Sequence, residues 1–237
     1  FAHVVDLAGI ADLKGIRIDG DTVRIGAMTT QHDLIASDEL AAAAPIIRDA
    51  AKQIADPQVR YMGTLGGNVA NGDPGNDMPG LMQCIDATFH LAGPSGERTV
   101  AAREFYEAAY MTAREDDEIL TAVSFAAPKG GQSYVKQKRK IGDYATAAAA
   151  VILQKDGGSC SGASIAMTNL ADTPVLCEAA AAALTGTSVD DAAVKAAVIA
   201  MQDAIDPVED NRGPVEFKKH VAGVILARAI ARAWDTA

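Results

Sequence analysis

The residues best suited to chemistry in this chain are Thr64-Leu65-Gly66-Gly67-Asn68, with Asp77 following nine positions after Asn68. Paired glycines let a backbone bend sharply and approach a ligand with no Cβ in the way. Main-chain N–H groups exposed in such a bend form a concavity that holds an anion. Thr64 and Asn68 add side-chain donors, and the Asp77 carboxylate can accept from a sugar hydroxyl. Together they describe a pocket for a phosphorylated cofactor. The stretch is not the G-x-G-x-x-G dinucleotide fingerprint, and a Gly-Gly pair alone is commonly just a turn. What favours a ligand is the neighbouring polar loop, where Asn68, Asn71, Asp73, Asn76 and Asp77 crowd into ten positions.

A second group follows at Lys136-Gln137-Lys138-Arg139-Lys140 and Asp143-Tyr144. In an extended chain Lys136 and Lys138 share one side and can both point toward an anion in a cleft. Arg139 and Lys140 read as a solvated face. Tyr144 can lay its ring against a flat heterocycle with its hydroxyl in water, or it can cap the core of the second half of the chain. His3, His32, His90 and His220 are scattered, without a carboxylate or cysteine at metal spacing. Cys84, Cys160 and Cys177 form no C-x-x-C pair, so neither a disulfide framework nor a zinc or iron–sulfur ligand set is written here. Cys84 reads as a small core hydrophobe. No catalytic residue and no metal ligand can be assigned, so any reaction here must be carried by a cofactor.

The elements that must position these groups follow from periodicity. Residues 22–27 alternate as a strand, and Thr30 with Asp33 is an acidic form of the capping box. Pro45 opens a helix over 45–55 that Pro57 ends, and 72–80 reads as an irregular loop. Strands are expected at 85–91, 97–100 and 119–125. The Pro and Gly of 126–131 then break the chain, giving two domains, 1–128 and 129–237. Beyond the break, strands at 145–154 and 160–168 flank the hairpin signal Asp156-Gly157-Gly158. Helices follow at 174–184, 189–205 and 214–234. The class is α+β, and 237 residues suffice for two cores. A net charge of −10 argues against nucleic acid as the main partner. No apolar run approaches the ~20 residues of a membrane helix, and no signal peptide is visible. The chain opens on Phe1, not Met, which predicts a natural N-terminus further upstream.

Several strings are specific enough to identify a resemblance. Ile25-Gly-Ala-Met-Thr-Thr30, Gln58 through Asn68, the spacing to Asp77, Glu118-Ile-Leu120 and Arg139-Lys-Ile-Gly-Asp-Tyr-Ala145 resemble the FAD-binding medium subunit of molybdenum hydroxylases, the xanthine dehydrogenase family. Arg212-Gly213-Pro214 with Val215-Glu-Phe217 resembles that family's C-terminal domain. Arg60-Tyr61-Met62-Gly63, Asn71 through Pro79 and Lys138 through Ala147 are most similar to its carbon monoxide dehydrogenase branch.

The resemblance implies an FAD-binding domain of the vanillyl-alcohol-oxidase (PCMH) type lacking its N-terminal subdomain. A C-terminal domain of three-stranded antiparallel sheet plus helical bundle follows it. By position, Thr64, Leu65, Gly66, Gly67 and Asn68 match the family's second pyrophosphate loop, and Asp77 a carboxylate near the ribityl and pyrophosphate. Ile54 matches an apolar neighbour of the cofactor, and Leu120 a backbone contact to the flavin or adenine. Lys136 matches a cofactor-side lysine, with Lys138 the alternative, and Tyr144 an aromatic that screens one face of the isoalloxazine. The family's first FAD loop, Ala-Gly-Gly-x-Ser, lies upstream of what is matched here, and no residue of this chain stands in for it.

The resemblance further implies a large molybdenum subunit carrying molybdopterin cytosine dinucleotide with Mo and Cu, and a small subunit with two [2Fe–2S] clusters. The three assemble as a dimer of heterotrimers, a heterohexamer. Electrons from CO oxidation to CO2 reach FAD in this chain and pass to a quinone or other acceptor. The expected place is cytoplasmic, peripheral at the inner face of the membrane. Two alternatives stay open: the same subunit in a hydroxylase acting on an aldehyde or N-heterocycle, or a flavin-free docking and assembly module.

Overall fold

The computed structural model describes residues 3–237. Strands β1 (Ile16–Asp19) and β2 (Thr22–Gly26) form a hairpin, followed by helices α1 (Gln31–Ala36), α2 (Asp38–Ala43) and α3 (Pro45–Ala51). Helices α4 (Pro57–Met62), α5 (Leu65–Ala70) and α6 (Asp77–Cys84) come next. Strands β3 (Thr88–Gly93) and β4 (Gly96–Ala101), the short pair β5 (Tyr106–Ala108) and β6 (Met111–Thr112), and β7 (Ile119–Ala126) complete the first half. The second half holds β8 (Gly131–Gln137), β9 (Ala147–Asp156), β10 (Ser159–Thr168) and β11 (Val175–Leu176), then α7 (Glu178–Leu184), α8 (Asp191–Ala204) and α9 (Val215–Asp235).

Two antiparallel sheets organise the molecule, ordered β1-β2-β7-β3-β4 and β11-β10-β9-β8. The second has the three long strands expected, plus a two-residue edge strand that displaces the start of α7 to Glu178. Its strand β9 is buried on both faces from Ala147 to Leu153, which is why that stretch reads as an unbroken apolar run. Ala148, Ala150 and Ile152 point into a core shared with the first half, together with Tyr134 and Ala166. Ala147, Ala149, Val151 and Leu153 point into a second core closed by α7, α8 and α9. The first core therefore continues across the 126–131 break.

The capping box forms as expected: Asp33 N donates to Thr30 Oγ1 at 3.1 Å and Thr30 N to Asp33 Oδ2 at 3.2 Å. Helix α3 stops at Ala51, four residues early. Pro57 disfavours the helical region for Asp56, which adopts φ −119 and caps α4 instead, and Ala55 takes a left-handed φ of 43. The expected loop 72–80 is helical from Asp77 onward, and the expected strand 85–91 begins only at Thr88. Helix α6 is buried along its whole length, wedged against β9 and β10.

Candidate functional site

The paired glycines do not form a left-handed bend. Gly66 and Gly67 lie in the first turn of α5, with Thr64 as its N-cap, extended at φ −103. The two glycines serve different ends. A Cβ on Gly66 would sit 2.5 Å from Ala27 Cβ and 2.8 Å from its carbonyl oxygen. Gly66 is thus what lets α5 dock on the segment leaving β2. Leu65 N donates to Thr29 O at 2.9 Å, and Gly66 N to Ala27 O at 2.8 Å. Ala27 N in turn donates to Thr121 O at 2.9 Å, beside a bulge in the β3–β7 pairing. A Cβ on Gly67 would meet only Thr64 Oγ1, at 3.0 Å, and this residue faces open space.

That open space is divided by the α5 N-terminus. One cavity, about 320 Å³, is lined by Ala27, Met28, Arg114, Glu118, Ile119 and Leu120. The other, about 400 Å³, is lined by Gln31, Ile54, Val59, Asn68, Asn71 and Asn76. Thr64 and Gly67 line both, so the cavities meet at the glycine-rich turn.

The donor set at this junction can be worked out from what is already engaged. Gly67 N donates to Thr64 Oγ1 at 3.0 Å, so the threonine oxygen is the acceptor and its own O–H is left to give. Met78 N donates to Asn68 at 3.1 Å, so the atom facing it must be Oδ1. The Asn68 Nδ2 amino group makes no hydrogen bond among the described residues. Asn76 Nδ2 donates to Asn68 O at 2.9 Å, holding α5 against the start of α6. A free hydroxyl, a free amide donor and a glycine without a Cβ suit an acceptor-rich group such as a diphosphate. Among the described residues no carboxylate lines the larger cavity. The residues present therefore fit the diphosphate of a dinucleotide at this turn.

Asp77, Lys136 and Lys138 converge behind this turn. Lys136 Nζ lies 2.7 Å from Asp77 Oδ2, both side chains nearly inaccessible, and Tyr134 Oη donates to Asp77 Oδ1 at 2.5 Å. Burial, then the Asp77 charge, raises the Tyr134 hydroxyl well above its ordinary value. Both carboxylate oxygens are thus engaged by protein. Lys138 Nζ donates to Gln53 O at 3.0 Å, next to Ile54. Burial, and then the neighbouring Lys136, lowers its ammonium from the usual lysine value. Neither lysine lines the two cavities, nor does Asp77.

Tyr144 stands just outside them, 45 % exposed, with its ring packed on Gly75 beside Asn76. Burial and the Asp73 carboxylate raise its hydroxyl above the ordinary tyrosine value. At the mouth of the smaller cavity Arg98 grips Glu118 through both oxygens, at 2.6 and 2.7 Å. This hydrogen-bonded pair lowers the Glu118 carboxyl to about 2. Met28 and Gln31 were not legible as site residues. Their position depends on how the chain leaves β2, and only the capping box between them hinted at that.

Two family models match the chain: the FAD binding domain in molybdopterin dehydrogenase over residues 1–128, and the CO dehydrogenase flavoprotein C-terminal domain over 132–233. The carbon monoxide dehydrogenase medium chain of Afipia carboxidovorans is 56% identical, over 98% of this chain and 81% of that one. The corresponding chain of Hydrogenophaga pseudoflava is 44% identical over 98% and 82%. Among solved structures, reconstituted CO dehydrogenase from Oligotropha carboxidovorans superposes with a TM-score of 0.96 at 56% identity, over 98% of this chain and 82% of its own.

Proposed function

The chain belongs to the family of FAD-binding medium subunits of molybdenum hydroxylases, and from that premise we infer that it is the flavoprotein subunit of a carbon monoxide dehydrogenase. The observation that carries the reading is the junction of two cavities at Thr64 and Gly67, with donors left free there for a diphosphate. Bound across it, FAD supplies an electron relay that takes electrons singly from [2Fe–2S] clusters and releases them singly or in pairs.

The chain's own residues hold and shield that group. Thr64 and Asn68 donate to the diphosphate, and Gly67 leaves room for its approach. Leu65 and Gly66 fix the turn on the first sheet. Leu120 would offer a backbone contact to the flavin or adenine, and Ile54 an apolar side beside the cofactor. Lys138 is the cofactor-side lysine we favour, since Lys136 is held by Asp77. Asp77 acts as the scaffold that fixes both β8 and α6 behind the site. Tyr144 screens one face of the flavin. The unit binding FAD comprises residues 1–128 and the C-terminal unit 129–237, as the Pro- and Gly-rich break suggests.

The partners follow from this assignment: a large subunit with molybdopterin cytosine dinucleotide, Mo and Cu, and a small iron–sulfur subunit, paired as a dimer of heterotrimers. A quinone acceptor at the inner membrane face completes the reading. Among the described residues no helix is long and apolar enough to cross a membrane.

The test is the visible spectrum and flavin content of the complex purified with its large and small subunits. A yellow complex with one FAD per medium chain, bleached by CO, is expected. A flavin-free complex, or flavin that CO does not reduce, overturns the assignment.

A further inference from the structure

Tyr144 is nearly half exposed, yet its ring has a defined seat. On one side lies Gly75, where an added Cβ would come 3.0 Å from Tyr144 Cδ1. On another lies the Arg212 guanidinium, 5.7 Å from the ring centroid, within range for a cation–π contact. Arg212 comes from the connection between α8 and α9, some seventy positions away in the chain.

Arg212 is itself held in a chain of charges. Its Nη1 donates to Asp210 Oδ2 at 3.0 Å, and its Nη2 lies 3.6 Å from Asp143 Oδ1, the residue next to Tyr144. The other Asp143 oxygen takes Arg139 Nε at 3.0 Å, and Arg139 Nη1 donates to Asn211 O at 3.0 Å. Asp210 Oδ1 receives Lys218 Nζ at 2.9 Å, and Lys218, 3 % exposed on α9, also donates to Val208 O at 2.7 Å. The turn is tightened at Gly213, whose φ of 141 belongs to glycine. An unbroken line of ion pairs therefore runs from the buried face of α9 to the tyrosine loop. Arg212 Nε is buried and has no hydrogen-bond partner among the described residues, so the guanidinium is held through its two Nη groups.

We propose that Arg212 is a positioning residue for Tyr144, holding the ring on Gly75 beside Asn76 at the edge of the larger cavity. The proposal rests on the reading of Tyr144 as the flavin-screening aromatic. Losing a cation–π contact raises the ratio of unseated to seated rings by roughly two- to fivefold.

The readout is flavin fluorescence in the assembled, FAD-loaded complex, because an aromatic ring stacked on isoalloxazine quenches it. Arg212→Ala should raise the fluorescence per bound FAD by roughly two- to fivefold, toward the level of Tyr144→Ala. Arg212→Lys, which keeps a cation near the ring, should restore at least part of the quenching. Should Arg212→Ala fail to assemble, Asp143→Asn cuts the same link from the other side and should raise fluorescence likewise. If Tyr144→Ala brightens the flavin while neither Arg212→Ala nor Asp143→Asn does, the positioning role is wrong and the tyrosine assignment stands. If Tyr144→Ala itself leaves the fluorescence unchanged, the tyrosine assignment falls, and this proposal with it.

Discussion

Asp77 and Lys136 form an ion pair at 2.7 Å in which the two side chains are only 4 % and 1 % exposed. Asp77 opens α6 and Lys136 lies on β8, so the pair joins the first half of the chain to the second directly behind the cofactor cavities. Tyr134 completes the set through the other carboxylate oxygen. Charges this deep are tolerable only because each is matched.

Removing one partner should therefore cost far more than removing both. Asp77→Asn or Lys136→Met alone is expected to lower unfolding free energy by ~3–5 kcal/mol, since each leaves an uncompensated buried charge or donor. The double variant should recover a large part of that loss. Urea unfolding of the four proteins measures the coupling, and additive losses would show that the pair is not a unit.

The two glycines of the turn should separate fold from cofactor. Gly66→Ala pushes a methyl into Ala27 and should destabilise the protein by ~1–3 kcal/mol. Gly67→Val adds its bulk where a diphosphate would approach, and should leave the melting temperature of the apoprotein near wild type while FAD retention is lost. A yellow Gly67→Val complex would refute the assigned turn.

Tyr144→Ala is expected to alter flavin reduction or reoxidation more than reduction of the metal centre by CO in a single turnover. Rapid-mixing absorbance at the flavin and cluster bands distinguishes the two steps. Equal effects on both would assign Tyr144 to the framework alone.

Glu118 gives the pH dependence its sign. Its carboxyl falls from an ordinary 4.5 to about 2 through the hydrogen bonds from Arg98. A depressed carboxylate contributes stability that is fully present above the ordinary value and is lost as pH falls toward about 2. Amide protection factors across 113–120 should therefore fall as pH drops between these limits in wild type. In Glu118→Gln they should be low throughout and show no such transition. A wild-type segment whose protection ignores acid would count against the pair as the tether.

Much of the local structure was written in short-range chemistry. The Thr30–Asp33 capping box, the Asp156-Gly157-Gly158 hairpin and the long final helix each depend on residues within a few positions of one another, so local pattern sufficed. The early stop of α3 at Ala51 was harder to see. It reflects competition between a helix that could have continued and the cap of α4 at Asp56.

Which residues gather near the turn follows from chain order: Thr64, Gly66, Gly67 and Asn68 are neighbours, and backbone connectivity keeps them together. What each one does depends on packing. Gly66 proved to be a packing residue because Ala27 arrives against it from β2, and Asn68 spends its oxygen on α6 and keeps its nitrogen free. The link from Asp77 to Lys136, and from Arg212 to Tyr144, spans fifty-nine and sixty-eight positions. Contacts of that kind depend on how two sheets and their helices stack to bury apolar faces, and stacking is a property of the whole chain that no local spacing encodes.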